Sequence, residues 1–530
     1  MHRFRIVLIL LIFSLSVREP TCAQEKKGFS IKPYLQNAGT RQMTVMWSSW
    51  HPGECTLTYS FQGSIPVTVS VSDPSPVTYP VAWHRKGKPP PKILTEYIYE
   101  FQLKDLKPDT AYTYEVACGG EKKGGSFSTW PEAPKPFTFI AYGDSRSGIS
   151  KHRALAARFI SHRPDLILHT GDLVSGSLFA AWKQMIFEPL NDVIDKVPLF
   201  TVQGNHDRYK DYYKRVFSLP HNEIWYSFDY ANVHFVGVDT NGWRTDDTES
   251  IRSQLAWVEK DLAASSAQWK IVFLHEPIFD MGGKHRSEWG RKDFLPLFWK
   301  HRVDIVFCGH SHSYQRFRPM FRKDKPDAHL MTHIVVAGGG AELHIVDQHI
   351  QLGCGATEFH YMVFQVDGGK MSARAIDREG KEIDSFTMTK KDGGYTRAYR
   401  DISFPQNEFN KYGRDILPYL NKICLPKVPA RGETLRFDIE LGAGPYRMKY
   451  ILSPAPRVLK DYRVKPVSGV VEANEIARVS LEVTATGRVR GRRRERGKYH
   501  LSPKFILECA YEIDGIKGKV CSPDLSASSR

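Results

Sequence analysis

The sequence predicts a multidomain protein with an N-terminal β-sandwich, a central α/β domain and a C-terminal β-rich domain. Between Phe29 and about Trp130, apolar and polar residues alternate in short runs broken by Pro and Gly turns, the period of half-buried antiparallel strands. From Phe137, short and nearly continuous apolar runs alternate with helical stretches, the pattern of an α/β domain. After about Asp401, strand alternation returns. At 530 residues, about three domains are expected. A composition of 41% hydrophobic and 25% charged residues excludes intrinsic disorder, collagen and a bare coiled coil.

The first 23 residues read as an export signal: basic MHRFR, an apolar run from Ile6 to Val17 too short to span a bilayer, and Thr21-Cys22-Ala23 as a small-residue cleavage site. The mature chain is expected to begin at Gln24 and to end in a periplasm, at a cell surface or outside. The residues before Cys22 lack the pattern of a lipid-modified cysteine. The sandwich is assigned to 29–130, with runs such as Met43 to Trp47 and Thr56 to Tyr59. Leu106 to Tyr114 resembles the turn before a late strand of a fibronectin type III-like domain, where a Tyr hydroxyl closes the corner. Pro131-Glu132-Ala133-Pro134-Lys135-Pro136 is a stiff linker.

The central domain is assigned to 136–392. Apolar runs at Phe137 to Tyr142, Leu166 to His169, Leu199 to Val202, Lys270 to Leu274, Val303 to Phe307, His333 to Ala337 and Met362 to Val366 are strands. His152 to Ser161 and Ser253 to Leu262 are helices. The third region, 400–530, includes strands at Thr434 to Glu440 and Ala477 to Val483 and carries no enzyme motif.

Of eight cysteines, seven remain once Cys22 is removed, so at least one is free or paired between chains. Cys55 with Cys118 and Cys509 with Cys521 are the candidate pairs, and Cys308 reads as a small buried thiol. The formal charge of +16 is partly local: Arg488 to Lys498 holds seven basic residues against Glu495. A solvated hairpin tip accounts for this run, since no aromatic residues interleave it for base stacking. Contact with an anionic polymer is the alternative, and no specific nucleic-acid or protein partner is inferred.

Five strand ends of the central region carry metal-ligand residues. They are Gly143-Asp144, Gly171-Asp172, Gly204-Asn205-His206-Asp207, His275, and Gly309-His310-Ser311-His312. Side chains at the carboxyl ends of strands in an α/β sheet converge on one crevice. Carboxylate, amide and imidazole donors without thiolates suit two divalent or mixed-valence first-row ions (Fe, Zn or Mn) rather than a structural zinc.

This set resembles the calcineurin-like metallophosphoesterases, and within them the purple acid phosphatase group, from the N-terminal domain to about residue 390. Gln254-Leu255-Ala256-Trp257, Trp269 and Val303 to Arg316 add to the resemblance. It implies a central fold of two packed sheets flanked by helices. Asp144 and His312 would hold the first metal, Asp172 would bridge, and Asn205, His275 and His310 would hold the second. His206 would serve the leaving group, with Asp207 orienting its imidazole, and His285 resembles an outer histidine that contacts substrate phosphate.

Two departures stand out. Ser175 occupies the position of the tyrosine whose phenolate colours purple enzymes, and Arg146 stands where other phosphoesterases place a metal-binding histidine. The first site is thus short of a ligand; water, weaker binding or recruitment of His152 are the options. Arg146 either grips two phosphate oxygens or makes a surface salt bridge. His169 is expected to point into the sheet. The implied activity is hydrolysis of phosphate monoesters by in-line attack of a hydroxide bridging the metals. A phosphodiesterase or nucleotide pyrophosphatase is the alternative on the same site, and a surface-binding module with a degraded centre is the alternative of another class.

Overall fold

The computed structural model describes residues 27–82, 90–176, 178–207, 212–281, 290–321, 329–346, 352–391, 394–397, 404–405, 416, 419–420, 422–444, 446–454, 461–494, 498–502, 505–513, 516–522 and 526–528. Residues 1–26, with the expected export signal, and His285 lie outside them. Among the described residues, no helix is long and apolar enough to cross a membrane.

The N-terminal strands form two four-stranded sheets, one of Phe29–Gln36, Met43–Ser49, Ile93–Leu103 and Ser75–Pro80, the other of Val67–Val71, Cys55–Phe61, Ala111–Cys118 and Glu121–Ser128. Ala111–Cys118 alternates strictly between exposed or half-buried and buried positions, so one face supplies Tyr112, Tyr114, Val116 and Cys118 to the core. At the expected corner, the Lys107 amide donates to the Tyr112 hydroxyl at 2.9 Å. Cys55 and Cys118 form a disulfide between adjacent strands.

The sandwich is fastened to the central domain through both backbone and side chains. The Leu35 amide donates to Ile194 O at 2.8 Å, and the hydroxyls of Tyr34 and Tyr114 donate to Val216 O and Asp195 O at 2.7 and 3.0 Å. Glu96, fully buried on strand Ile93–Leu103, receives the Lys183 ammonium.

The central domain is built on two seven-stranded sheets. In the first, Phe137–Tyr142, Leu166–His169 and Leu199–Thr201 run parallel, and Phe137–Tyr142 pairs antiparallel with His360–Asp367. In the second, Val233–Val238, Trp269–Leu274, Ile305–Cys308 and Thr332–Val336 are parallel. Their facing surfaces meet through aromatic side chains, with Phe139 edge-on to Phe235 at 5.4 Å and Phe307 edge-on to Phe364 at 5.2 Å. Helices complete the layers. Thr248–Ala264 begins where Asp247 caps the Ser250 amide, and its buried Val258 and Leu262 join Phe294, Leu295 and Phe298 of Arg291–Lys300 in one apolar cluster with the second sheet.

The C-terminal strands enclose a separate core containing Leu441, Leu452, Tyr462 and Phe505. Here the cysteine expectation is corrected. Strand register sets Cys521 opposite Glu508 and Cys509 opposite Val520, and Cys509 is a free buried thiol. The two cysteines are thus one residue out of register across the strand pair. Within the basic run, strands Arg490–Arg494 and Lys498–Ser502 pair antiparallel, and residues 495–497 lie outside the described residues.

Candidate metal centre

Parallel strands that end level with one another deliver the predicted residues to one crevice between the sheets. The turns that follow are tight. Asp144, Asp172, His310 and His312 all have positive φ (57°, 56°, 68° and 35°), a region that costs a non-glycine residue roughly 1–2 kcal/mol. Four such residues around one crevice are strain of the kind concentrated at functional sites. Gly204 permits a close approach: a Cβ there would stand 2.2 Å from both the amide nitrogen and Oδ1 of Asp172.

Two donor clusters result. Asp144, Asp172 and His312 form one and His275, Glu276 and His310 the other, the ligand atoms of each lying within 4.8 Å of one another. In the second, the protons are directed outward. Nδ1 of His275 lies 2.8 Å from Thr170 O, a carbonyl that only accepts, so Nδ1 carries the proton and Nε2 keeps its lone pair. Nε2 of His310 lies 3.2 Å from Glu276 Oε2, which leaves Nδ1 as the acceptor. Asn205 Oδ1 completes the set, 3.2 Å from His275 Nε2 and 3.0 Å from His310 Nδ1, with 3.3 Å between the two nitrogens. Asp172 Oδ1 stands 3.4 Å from His275 Nε2.

Acceptors facing one another at these separations need a cation between them. Ligands each ~2.1 Å from one ion stand about 3.0 to 3.4 Å apart at octahedral or tetrahedral angles. The donor set therefore fits a metal. The local field favours positive charge at this point: burial opposes a charged His275, yet Asp172, Asp144 and Glu276 raise its pKa to about 9, so Nε2 takes a proton unless a metal ion takes its place.

In the first cluster, His312 gives its Nδ1 proton to Glu342 O at 2.7 Å and turns Nε2 toward Asp144 Oδ1 at 3.4 Å. His344 stacks on the His312 ring with centroids 4.2 Å apart, and neighbouring Ile345 packs against the C-terminal core. Asp144 accepts the His310 amide through both oxygens, at 3.0 and 2.8 Å. Burial would raise the Asp172 carboxyl, but the fields of His275, His206 and Arg146 outweigh it and hold the group below the usual carboxylate range.

Several expectations change. Arg146 is largely buried rather than on the surface; its side chain is 18% exposed and its Nε donates to Asp172 Oδ2 at 2.9 Å. His152 is not available as a ligand. Both its ring nitrogens are engaged, with Met185 O at 2.8 Å and the Tyr142 hydroxyl at 3.0 Å, and burial lowers its pKa to about 4. His169 is buried in the sheet, as expected, against the Ser145 hydroxyl at 3.0 Å. The Asp207 carboxylate accepts the Gly204 and Val174 amides at 2.8 and 3.0 Å, so it braces two loops rather than the His206 imidazole. Burial and the nearby Asp172 charge push it up to about 7. His206 is half-buried, its amide held by Asp172 Oδ1 at 3.0 Å. Ser175 is exposed and donates to Met185 Sδ at 3.3 Å, away from both clusters.

Glu276 escaped the sequence reading. Its only signal was adjacency to His275, and burial together with contacts to His310 and Arg244 gives it a function in orienting a ligand.

Residues 137–314 match the calcineurin-like phosphoesterase family. Purple acid phosphatase 22 of Arabidopsis thaliana is 30% identical over 270 residues, spanning 46% of this chain and 58% of that protein. Human acid phosphatase type 7 is 26% identical over 361 residues, spanning 59% of this chain and 76% of that protein. In structure, the purple acid phosphatase PPD1 of yellow lupin seeds shares the fold, with a TM-score of 0.58 and 21% identity over 68% of this chain and 74% of that one. Residues 137–314 thus carry a calcineurin-like phosphoesterase domain, and the chain is similar over part of its length to purple acid phosphatases.

Proposed function

We propose that the protein is an exported, two-metal hydrolase of phosphate monoesters. The observation that carries this reading is the trio of Asn205 Oδ1, His275 Nε2 and His310 Nδ1, acceptors that face one another with the histidine protons committed outward. Asn205, His275 and His310 would hold the second ion, Asp144 and His312 the first, and Asp172 stands between the clusters to bridge them. When bound, such ions supply electrophilic charge for phosphate oxygens and a water-derived nucleophile at neutral pH.

The chain's own groups do the rest. Thr170 O, Glu276 and Glu342 O fix the three imidazoles, so the donors are oriented before substrate arrives. His206, the neighbour of Asn205, reaches the leaving-group side and hands a proton to the departing alkoxide. Arg146 adds positive charge beside the first cluster. Export rests on residues 1–23, and 29–130, 136–392 and 400–530 serve as the sandwich, catalytic and C-terminal units. Similarity to acid phosphatases supports the choice of monoesters. A panel of mono- and diesters offered to the protein after reconstitution with manganese, zinc or iron tests it: monoesters should turn over fastest, and a protein faster on diesters would displace the reading.

A further inference from the structure

Arg146 is fixed in the first cluster at three points. Its amide donates to Asp172 O at 3.2 Å, its Nε donates to Asp172 Oδ2 at 2.9 Å, and its Nη2 lies 3.4 Å from His312 Nε2. Because Nδ1 of His312 already donates to Glu342 O, Nε2 is a lone pair that accepts from the guanidinium. Asp172 Oδ2 and His312 Nε2 are the atoms a first metal would need, since Asp172 Oδ1 faces the second cluster and the His206 amide. A guanidinium is planar, charged at every physiological pH and unable to ligate metal. At the second cluster Arg244 meets Glu276 Oε1 at 3.2 Å, while Asn205 Oδ1, His275 Nε2 and His310 Nδ1 converge on one another.

We propose that Arg146 is a built-in cation of the first cluster, competing with a metal ion for Asp172 Oδ2 and His312 Nε2. The two clusters therefore load unequally. The second takes its ion tightly, and the first takes one only as the guanidinium withdraws. This rests on the two-metal reading above and adds an order and a ratio of affinities to it. It also explains how the chain does without the ligands missing at Ser175 and Arg146: part of the first ion's charge is supplied by the protein itself.

The test is a manganese-binding isotherm on the full chain, by equilibrium dialysis with metal analysis, together with electron paramagnetic resonance for coupling between two manganese ions. The parent should bind one ion tightly and a second about 10- to 100-fold more weakly, the range seen when groups around a ligand set are altered. Arg146→Ala should strengthen the weak step by about the same factor, leave the tight step unchanged and show the coupled spectrum at lower manganese. Arg146→Gln, neutral and similar in length, should behave alike and guards against a local collapse peculiar to the alanine variant. Two equal ions in the parent, or a weak step unmoved in both variants, would overturn the competition while leaving the two-metal reading in place. Failure of parent and variants alike to take up any manganese, zinc or iron would overturn both.

Discussion

Replacing Lys183 with Met should destabilise the docking of the N-terminal sandwich by about 3 kcal/mol. Glu96 is fully buried and Lys183 is 13% exposed, so the pair is largely removed from water. The carboxylate is also bonded by the hydroxyls of Tyr79 and Ser30, while the Lys183 ammonium lies 3.2 Å from the Tyr79 hydroxyl and 4.2 Å from the Trp50 ring centroid. Removing one partner of a buried ion pair costs roughly 3–5 kcal/mol, because the other charge is left uncompensated. The two remaining hydroxyl donors place this site at the low end. A double-mutant cycle in urea with Lys183→Met, Glu96→Gln and the double variant, followed by tryptophan fluorescence, reads the effect. The double variant should recover most of the loss, giving a coupling energy of about 2 kcal/mol. A single-variant loss under ~0.5 kcal/mol, or strict additivity, would show that Glu96 is not held as a charge by Lys183.

The imidazole of His234, between Asp229 at 2.7 Å and Asp261 at 2.8 Å, is raised to about 9 because these bonds outweigh the opposing effect of burial. Its stabilisation should be complete below its unfolded pKa of ~6.5 and fade as pH rises toward 9. The loss should amount to about 2–3 kcal/mol after allowing for the exposure of Asp229, and His234→Asn should flatten the stability profile across that window. Iron-loaded protein should show no tyrosinate charge-transfer band, since Ser175 is turned to Met185; an intense visible band would displace the ligand assignment. His206→Ala should lower turnover by about 10²- to 10⁴-fold, most for poor leaving groups, with metal content intact. Asn205→Ala should instead weaken the second ion, and equal metal loss in both variants would erase the distinction.

The architecture was legible because apolar runs and ligands alternate so regularly. Each of Phe137–Tyr142, Leu166–His169 and Trp269–Leu274 is followed within three residues by a residue of the crevice, Asp144, Asp172 or His275, and strand ends are read directly from such runs. Orientation was not legible. Nothing in the sequence separates Asp207, which turns to the Gly204 and Val174 amides, from an acid facing an imidazole. Glu276 and Arg146 depend likewise on which neighbours burial brings to them, and these contacts span 34 and 26 residues of sequence. The Cys509 expectation failed on a one-residue register, which proximity in sequence does not fix.

The most direct test of the central claim is phosphate-monoester hydrolysis by chelator-stripped protein titrated with manganese, zinc or iron, compared with Asp172→Asn under the same titration. Asp172 touches both donor clusters through its two oxygens, so the parent should be silent when stripped and regain turnover as metal is added, while Asp172→Asn should stay silent at every concentration. Turnover that survives stripping, or parental turnover in Asp172→Asn, would contradict the account.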